Sequence, residues 1–366
     1  MILGYYVVIC FLSLICCAIY YWRKRPFYSV RYTMIFVLAF LAHFCYVLLA
    51  ISKDVREALI INKFLYIGGC YLPLAGLLLV FSICKINLPK WVHFLLMVFC
   101  TAVYGCVMTS GYLPLFYKSV DIETENGVTV LVKEYGPLHS LFYVEIGILL
   151  ILTFYALIYG WLKKPEVSRR HLALTAFMQI FSIFAYLIGR AITKDIEWMA
   201  LADLVDEIGF LIIMDRVGLY RVDDLVSSSI LKEGQVGYIS LDFKIRYLSA
   251  TDVAKRFFPE IAHNHADRYI EHEETRKLFE RWIEEFKREK VSKKHICRKG
   301  PFIYSVHVGD LYDGSMKRGY LLEITDDTIH QTHLEGIERY NKNLNEELKV
   351  KTRMIRELKG RKADKT

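Results

Sequence analysis

The sequence predicts a multi-domain protein: an all-α bundle of seven transmembrane helices, a cytosolic α+β domain and a C-terminal coiled-coil helix. Mean hydropathy is +0.28 and 54% of the 366 residues are hydrophobic, yet 23% are charged. The two classes are segregated, because residues 216–366 hold 30 of the 47 Lys and Arg residues and 25 of the 39 Asp and Glu residues. A chain with this distribution meets lipid in its first part and water in its second.

Seven apolar runs in the first part are long enough to cross a hydrocarbon core of ~30 Å, which takes ~20 helical residues. The first run differs from a cleaved secretory signal because its basic residues, Arg23, Lys24 and Arg25, follow it instead of preceding it. We therefore expect it to remain as a signal anchor. The runs lie at about 2–22, 31–52, 59–84, 91–110, 138–162, 171–192 and 198–215.

The distribution of Lys and Arg predicts the orientation, since these residues are retained on the cytoplasmic side of short loops. With the N-terminus outside, twelve of those near span ends fall inside and seven fall outside. The sequence therefore predicts a multi-pass protein of the cell membrane, surrounded by lipid, with its N-terminus outside and its C-terminus in the cytoplasm.

The one long outer loop predicts a β-hairpin. Strand-forming residues at 120–124 and 128–132 flank Asn126-Gly127, and an Asn-Gly pair favours the type I′ turn that joins such strands. The hairpin is either a lid over a ligand or simply a compact loop.

Ionisable residues inside the spans are candidates for function, because each costs several kcal/mol at mid-bilayer unless it faces protein or water. Glu145 lies in the fifth span, Arg190 near the outer end of the sixth, and Asp203, Asp206 and Glu207 in the seventh. With a rise of ~1.5 Å per residue, all five residues lie at a similar depth below the outer surface of the membrane. One reading is an outward-open cavity that binds an unknown small polar ligand or senses protons. The other is internal pairing that only orients the helices.

Neither the cysteines nor the histidines predict a metal site. Eight of the nine cysteines lie in or beside apolar runs without a CxxC pair, which is typical of small buried hydrophobes. His263, His265 and His272 match no zinc spacing. We expect no metal, no cofactor, no catalytic residue and no nucleic-acid partner.

Short alternating segments follow the spans. Strands are predicted at 237–242 and 244–248, then a helix that ends at Pro259 and a charged amphipathic helix over 271–289. Later strands are predicted at 302–308 and 319–324. This order indicates a small α+β domain.

The same segment resembles the PAS family in its opening Gly237-to-Asp242 strand, in the helix after Tyr247-Leu248-Ser249 and in its closing acidic-Ile-Thr-Asp sequence. In many PAS sensors an acidic-Ile-Thr segment couples the last strand to an output helix. The chain departs from the family pattern at Thr251, where an Asn is customary, and at the acidic position, where an Asp is usual. The resemblance implies a signal-relay role for Glu323, Ile324, Thr325 and Asp326.

A final helix carries apolar residues at spacings of three and four, interrupted by Lys351. Such an a/d seam predicts a coiled coil and hence a homodimer of parallel chains. The apolar seam residues are Ile337, Tyr340, Leu344, Leu348, Ile355 and Leu358.

The first part, with its Gly136-Pro137-Leu138 step entering the fifth span, resembles the seven-span N-terminal region of bacterial histidine kinases over about residues 5–220. In such proteins the bundle is followed by a PAS domain and then by an enzymatic output domain. The expected divisions are a transmembrane sensor domain (1–220), a linker (221–233), a PAS-like domain (234–328), a signalling helix (329–359) and a polar tail (360–366).

No output domain is recognisable in the sequence. His330 and His333 do not fit a phosphoacceptor box, and neither a Gly-rich nucleotide lid nor a cyclase or phosphodiesterase motif occurs. Two hypotheses remain. The chain is a non-catalytic membrane sensor that signals to a separate output protein, or it is the truncated sensory half of a histidine kinase, a diguanylate cyclase or an HD-GYP cyclic-di-GMP phosphodiesterase. An odd span count without an internal repeat disfavours a transporter.

Overall fold

The computed structural model describes residues 2–22, 30–125, 127–165, 167–192, 196–217, 236–289, 291–313 and 316–363. The expected linker at 221–233 lies outside them. Seven helices form the first part, as the hydropathy pattern predicts. They are α1 (Ile2–Trp22), α2 (Val30–Ile51), α3 (Val55–Ile83), α4 (Lys90–Met108), α5 (His139–Lys163), α6 (Arg169–Ile192) and α7 (Met199–Val217).

Six of these helices, α1 to α6, are long and apolar enough to cross a membrane. Large apolar side chains such as Phe11, Phe94, Ile151 and Leu187 are exposed on their outer surfaces, where lipid replaces water as the solvent. The helix expected as the seventh span, α7, is more acidic and is not among the six. The first part of the chain is therefore a helical membrane region with six candidate spans.

The helix α7 nevertheless packs inside the bundle. Gly209 approaches Met178, and Gly189 lies against the Trp198 ring, so α7 runs antiparallel to α6. Its 19 residues correspond to a length of ~28 Å. A helix of this length and direction lies beside the spans over most of their height.

A two-stranded antiparallel hairpin connects α4 to α5. Its strands are β1 (Tyr117–Glu125) and β2 (Val128–Tyr135), and Glu125 pairs with Val128 across the turn. Gly127 adopts a φ of +78°, a conformation that a turn of this kind requires. The hairpin predicted from Asn126-Gly127 is thus present, and Thr129 fixes it to the end of α2 by donating a 2.6 Å hydrogen bond to the Ser52 carbonyl.

The second part is an α+β domain built on one antiparallel sheet with the order β4-β3-β7-β6-β5. The strand β5 was not predicted, because its sequence, Lys-His-Ile-Cys-Arg-Lys, has too few apolar residues. The elements are β3 (Val236–Asp242), β4 (Tyr247–Ala250), α8 (Asp252–Phe257), a 3-10 helix (Pro259–Ile261), α9 (Glu273–Glu289), β5 (Lys294–Lys299), β6 (Phe302–Asp313) and β7 (Met316–Asp326).

The core of this domain lies between the sheet and the helices α8 and α9. Phe258, Phe279 and Ile283 pack against Val306 and Leu322, and all five are fully buried. A 36-residue helix, α10 (Thr328–Ala363), follows β7 and projects from the domain. Most of its described side chains are exposed.

Candidate functional site

Three acids of α7 form a polar cluster inside the bundle. The Glu207 side chain is fully buried, and Ser13 of α1 donates a hydrogen bond of 2.9 Å to its Oε1 atom. Asp206 lies against Ser182 of α6, and Asp203 lies beside both other acids. Among the described residues, Asp206 Oδ1 and Glu207 Oε2 have no hydrogen-bond partner. A buried oxygen of this kind costs free energy until it receives a proton or a donor, so the cluster is suited to take up either.

Glu145 occupies a different part of the bundle. Its carboxyl group is fully buried, and the thiols of Cys70 in α3 and Cys100 in α4 face it. Neither thiol makes a well-formed hydrogen bond to it, and both carboxyl oxygens lack a partner among the described residues. The contacts therefore divide the predicted residues into two groups, one between α3, α4 and α5 and one between α1, α6 and α7. Their action on a single ligand stays a prediction.

The backbone of Arg190 lies in the last turn of α6, and its side chain is outside the part of the chain that the structure describes. The preceding residue, Gly189, has the Trp198 ring where a Cβ atom would lie, at 2.5 Å. This close approach places the end of α6 against the residue just before α7.

Two hydrogen bonds fix the beginning of α7, as the helix-orienting reading expects. His43 of α2 places its Nε2 atom 2.9 Å from the Ala200 carbonyl oxygen. The Glu197 backbone N–H donates a 3.0 Å hydrogen bond to the Tyr6 hydroxyl of α1. Polar groups of the bundle thus hold α7 near its beginning, while two carboxyl oxygens farther along it find no partner within the described part of the chain.

A second polar network, which the sequence did not indicate, joins the hairpin to α3 and α5. Asn62 donates a 3.3 Å hydrogen bond to the Tyr117 hydroxyl, which itself donates one of 3.0 Å to the Tyr66 hydroxyl. Tyr66 lies 3.4 Å from His139 Nε2, and Lys133 donates a 3.0 Å bond to Asn62 Oδ1. Both strands of the hairpin are therefore connected to the start of α5.

Aromatic rings enclose His139, the first residue of α5, which is only 3% exposed. Its ring centroid lies 4.0 Å from that of Tyr135, 4.8 Å from Phe116 and 4.9 Å from Tyr143. The available sequence signal was the density of aromatic residues on both sides of the Gly-Pro step. Only the folded hairpin shows that they converge on one histidine.

The Gly136-Pro137-Leu138 step is the point where β2 turns into α5. The Gly136 N–H donates a 2.8 Å hydrogen bond to the Phe116 carbonyl, and the Leu138 N–H donates one of 2.9 Å to the Leu115 carbonyl. A Cβ atom on Gly136 would lie 2.3 Å from the Leu115 oxygen. Only glycine fits, so the step ties the hairpin to α5 through its backbone.

The expected relay segment, Glu323 to Asp326, forms the end of β7 and lies between β3 and β6. Ile324 is fully buried in the domain core. Asp326 Oδ1 accepts a 3.0 Å hydrogen bond from the Thr328 N–H, and the Thr328 hydroxyl accepts one of 2.9 Å from the Ile303 N–H. Strand β7 and helix α10 are therefore joined by a short, hydrogen-bonded junction.

Asp327 strengthens this junction. Its backbone N–H donates to the Ile303 carbonyl at 2.9 Å, and its carboxylate accepts a 2.6 Å bond from Lys294 of β5. Burial alone would raise the pKa of Asp327, but the hydrogen bonds from Lys294 and Gln331 outweigh it and hold that pKa below its usual value. The carboxylate therefore remains charged and keeps α10 aligned with the sheet.

Within the described ranges, no group of three or more His, Cys, Asp or Glu side chains has the geometry to hold a metal ion. Of the three histidines near α9, His272 places its Nδ1 atom 3.0 Å from the Thr275 hydroxyl. His265 lies toward the bundle, with Nε2 at 3.4 Å from the Arg169 guanidinium.

In a comparison with known protein families, residues 6–219 match the N-terminal 7TM region of histidine kinase. The curated proteins contain no match to the chain. The family match covers more than half of the chain and all of α7, and it confirms the resemblance inferred from the span layout. The chain is a multi-pass membrane protein, and it belongs to the family of the N-terminal 7TM region of histidine kinase.

Proposed function

We propose that this chain is a membrane sensor that detects a stimulus in its helical bundle and relays it through the sheet domain and α10. The buried acid cluster of α7 carries the proposal. Two carboxyl oxygens there lack partners among the described residues, and α7 is the last helix that the structure describes before the sheet domain. A proton or ligand taken up at this cluster acts on the helix that leads into the cytosolic part.

In this account α7 is the seventh span and the hairpin lies outside the cell. The direction of α7, antiparallel to α6, supports the seventh crossing. The excess of Lys and Arg on one side supports an N-terminus outside and a C-terminus in the cytoplasm. An acidic helix is tolerated in a membrane when its charged groups face protein, as Glu207 does.

The sheet domain acts as a PAS-like relay. Two strands, then helices, then three strands follow the order expected from the PAS resemblance. The hydrogen-bonded junction between β7 and α10 supports a relay through Glu323 to Asp326, because movement of β7 must move the first turn of α10.

The helix α10 pairs with a second copy of the chain. Ile337, Tyr340 and Leu344 are exposed apolar residues on one face of it. A shallow groove on this face is lined by residues that include His333, Gly336, Ile337 and Tyr340. Their spacing of i, i+3, i+4 and i+7 is that of the hole that receives a side chain in a coiled coil.

The residues of this chain act in sensing and relay, and another protein performs the catalysis. The alternative is that they are the sensory half of a histidine kinase, a diguanylate cyclase or an HD-GYP phosphodiesterase. The family match to a histidine kinase region favours the kinase among these three.

A thermal-shift screen of the full chain in detergent tests the sensing site. A library of small polar metabolites is applied to the wild type, to Glu207→Gln and to Glu134→Gln. Glu134 is a matched control, because it is an exposed acid on the hairpin. We expect a compound that raises the melting temperature of the wild type and of Glu134→Gln but not of Glu207→Gln.

Equal stabilisation of all three proteins would contradict a site at the α7 acids. If no compound stabilises the wild type, the same three proteins are compared across pH. A melting temperature whose pH dependence is unchanged in Glu207→Gln would then contradict proton uptake there as well.

A further inference from the structure

We propose that the turn between α5 and α6 is the docking surface of the sheet domain, and that α5 links this surface to the outer hairpin. The helix α5 would then carry displacement between the two faces of the membrane, in addition to the covalent connection that follows α7. The direction of signalling rests on the proposed function, whereas the docking and the linkage do not.

Three contacts hold the sheet domain against the turn. The Ser168 hydroxyl, just before α6, donates a hydrogen bond to the Asp267 carboxylate. One residue away, the Ala266 N–H donates a 3.2 Å bond to the Pro165 carbonyl. The Arg169 guanidinium forms the third contact, with His265 at 3.4 Å. Side-chain and backbone groups thus take part on both sides.

The surfaces that meet here are buried and polar. Ser168 is 2% exposed and Asp267 is 8% exposed. A buried carboxylate is costly without a donor, and Ser168 supplies one across the interface. The pairing therefore favours one docked arrangement over others that would leave Asp267 without this donor.

Asp267 is held rigidly by its own domain. Its φ is +64°, in the left-handed region that Asp tolerates better than most residues. Its N–H donates a 2.8 Å hydrogen bond to the Tyr247 carbonyl, and the Tyr247 N–H donates one of 2.8 Å to the Arg268 carbonyl. Since Tyr247 begins β4, a displacement of Asp267 reaches the edge of the sheet.

The opposite end of α5 is fixed to the hairpin. His139, its first residue, lies within the aromatic enclosure, and Gly136 and Leu138 are hydrogen-bonded to the segment before β1. The 25 residues of α5 span ~37 Å without a proline. Near its other end, Gly160 packs closely on Cys84, where an added Cβ would lie 2.9 Å from the sulfur.

A continuous helix attached at both ends transmits small shifts. Helix translations of ~1–2 Å are typical of switching transitions. A shift of this size is large enough to break the hydrogen bond between Ser168 and Asp267. Movement of the hairpin would therefore change the docking of the sheet domain.

Crosslinking tests the docking surface. In the full chain reconstituted in lipid nanodiscs, Ser168→Cys with Asp267→Cys should form a disulfide under mild oxidation, identified by mass spectrometry of the linked peptides. The control pair is Ser168→Cys with Asp252→Cys, because Asp252 is an almost fully exposed acid of the same domain. Efficient linkage of the first pair only is expected. Equal linkage of both pairs, or linkage of neither, would overturn the docking.

Hydrogen exchange tests the linkage through α5. We expect the amide of Ala266, which is donated across the interface, to exchange about fivefold faster in Gly136→Ala, because strain at the hairpin loosens a contact at the far end. Gly147→Ala is the control and should leave this exchange rate unchanged, because Gly147 also lies in α5 but has open space at the position of a Cβ atom. Should Gly136→Ala not fold, Tyr117→Phe removes a hydroxyl of the outer network instead.

Exchange that stays at the wild-type rate in a folded variant would overturn the linkage while leaving the docking intact. Neither experiment uses a ligand. Their failure is therefore distinguishable from failure of the metabolite screen.

Discussion

At the scale of single residues, Gly136 and Glu207 illustrate two kinds of constraint. Gly136 is required by space, because the Leu115 carbonyl occupies the position of a Cβ atom. Glu207 is fully buried, and among the described residues one of its oxygens has a hydrogen-bond partner and the other has none. The first residue shapes the fold, whereas the second, in the proposed sensor, is the group that a proton or ligand would complete.

Replacing Gly136 with alanine should destabilise the protein by about 1–3 kcal/mol, as overpacked sites usually do. The expected result is a lower melting temperature of the full chain in detergent. Gly147→Ala should leave the melting temperature unchanged or raise it slightly, because alanine favours a helix. Equal melting temperatures for the two variants would contradict the steric role of Gly136.

Glu260 gives the sheet domain a pH dependence. Burial alone would raise the pKa of this carboxyl, but hydrogen bonds from Lys299 and Thr275 outweigh it and hold the pKa below its ordinary value of 4.5. A lowered pKa in the folded state stabilises the fold above that ordinary value, and this contribution is lost as pH falls through the folded-state pKa.

We therefore expect Glu260→Gln to lower the melting temperature at neutral pH and to match the wild type in strong acid. Melting curves of the full chain across pH measure both. Glu273→Gln is the control, since Glu273 is an exposed acid paired with Lys277. A deficit in Glu260→Gln that stays constant down to strong acid would exclude the ionised carboxylate as its cause.

At the scale of elements, hydropathy predicted all seven helices of the bundle to within a few residues, because a lipid-facing helix needs a long apolar run. The hairpin followed from Asn126-Gly127 for an equally local reason. The strand β5 escaped notice because its inward positions, His295, Cys297 and Lys299, are not strongly apolar, so no alternating apolar pattern marks it. Composition alone also does not show how α7, with four acids, packs among apolar neighbours.

The helix α10 offers the clearest test of an element. Leu344→Gln should weaken dimerisation by about 1.5–3 kcal/mol, the usual contribution of a buried leucine. Lys342 lies about 200° around the helix from Leu344, so the control variant Lys342→Gln should leave the dimer unchanged. Light scattering of the full chain over a range of concentrations measures both.

A monomeric wild type would exclude the α10 pairing. A dimer equally strong in Leu344→Gln would exclude this face of the helix.

At the scale of the whole molecule, the segregation of charge predicted a first part that faces lipid and a second part that faces water, and hence two kinds of domain. It could not predict which distant residues meet. His139 contacts aromatic rings of the hairpin and of α5. Ser168 forms a hydrogen bond with Asp267, about a hundred positions farther along the chain. Such contacts depend on tertiary packing, which local periodicity does not encode. The separation of Glu145 from the acids of α7 was hidden for the same reason.

Side-specific labelling of lysines tests whether the hairpin and the sheet domain lie on opposite sides of the membrane. Lys118 of the hairpin and Lys277 of α9 are both well exposed, so a membrane-impermeant amine reagent can modify either one that it reaches. We expect Lys118 to be modified in intact cells and Lys277 only after the membrane is permeabilised. Modification of both in intact cells, or of neither, would contradict a sensor that spans the membrane.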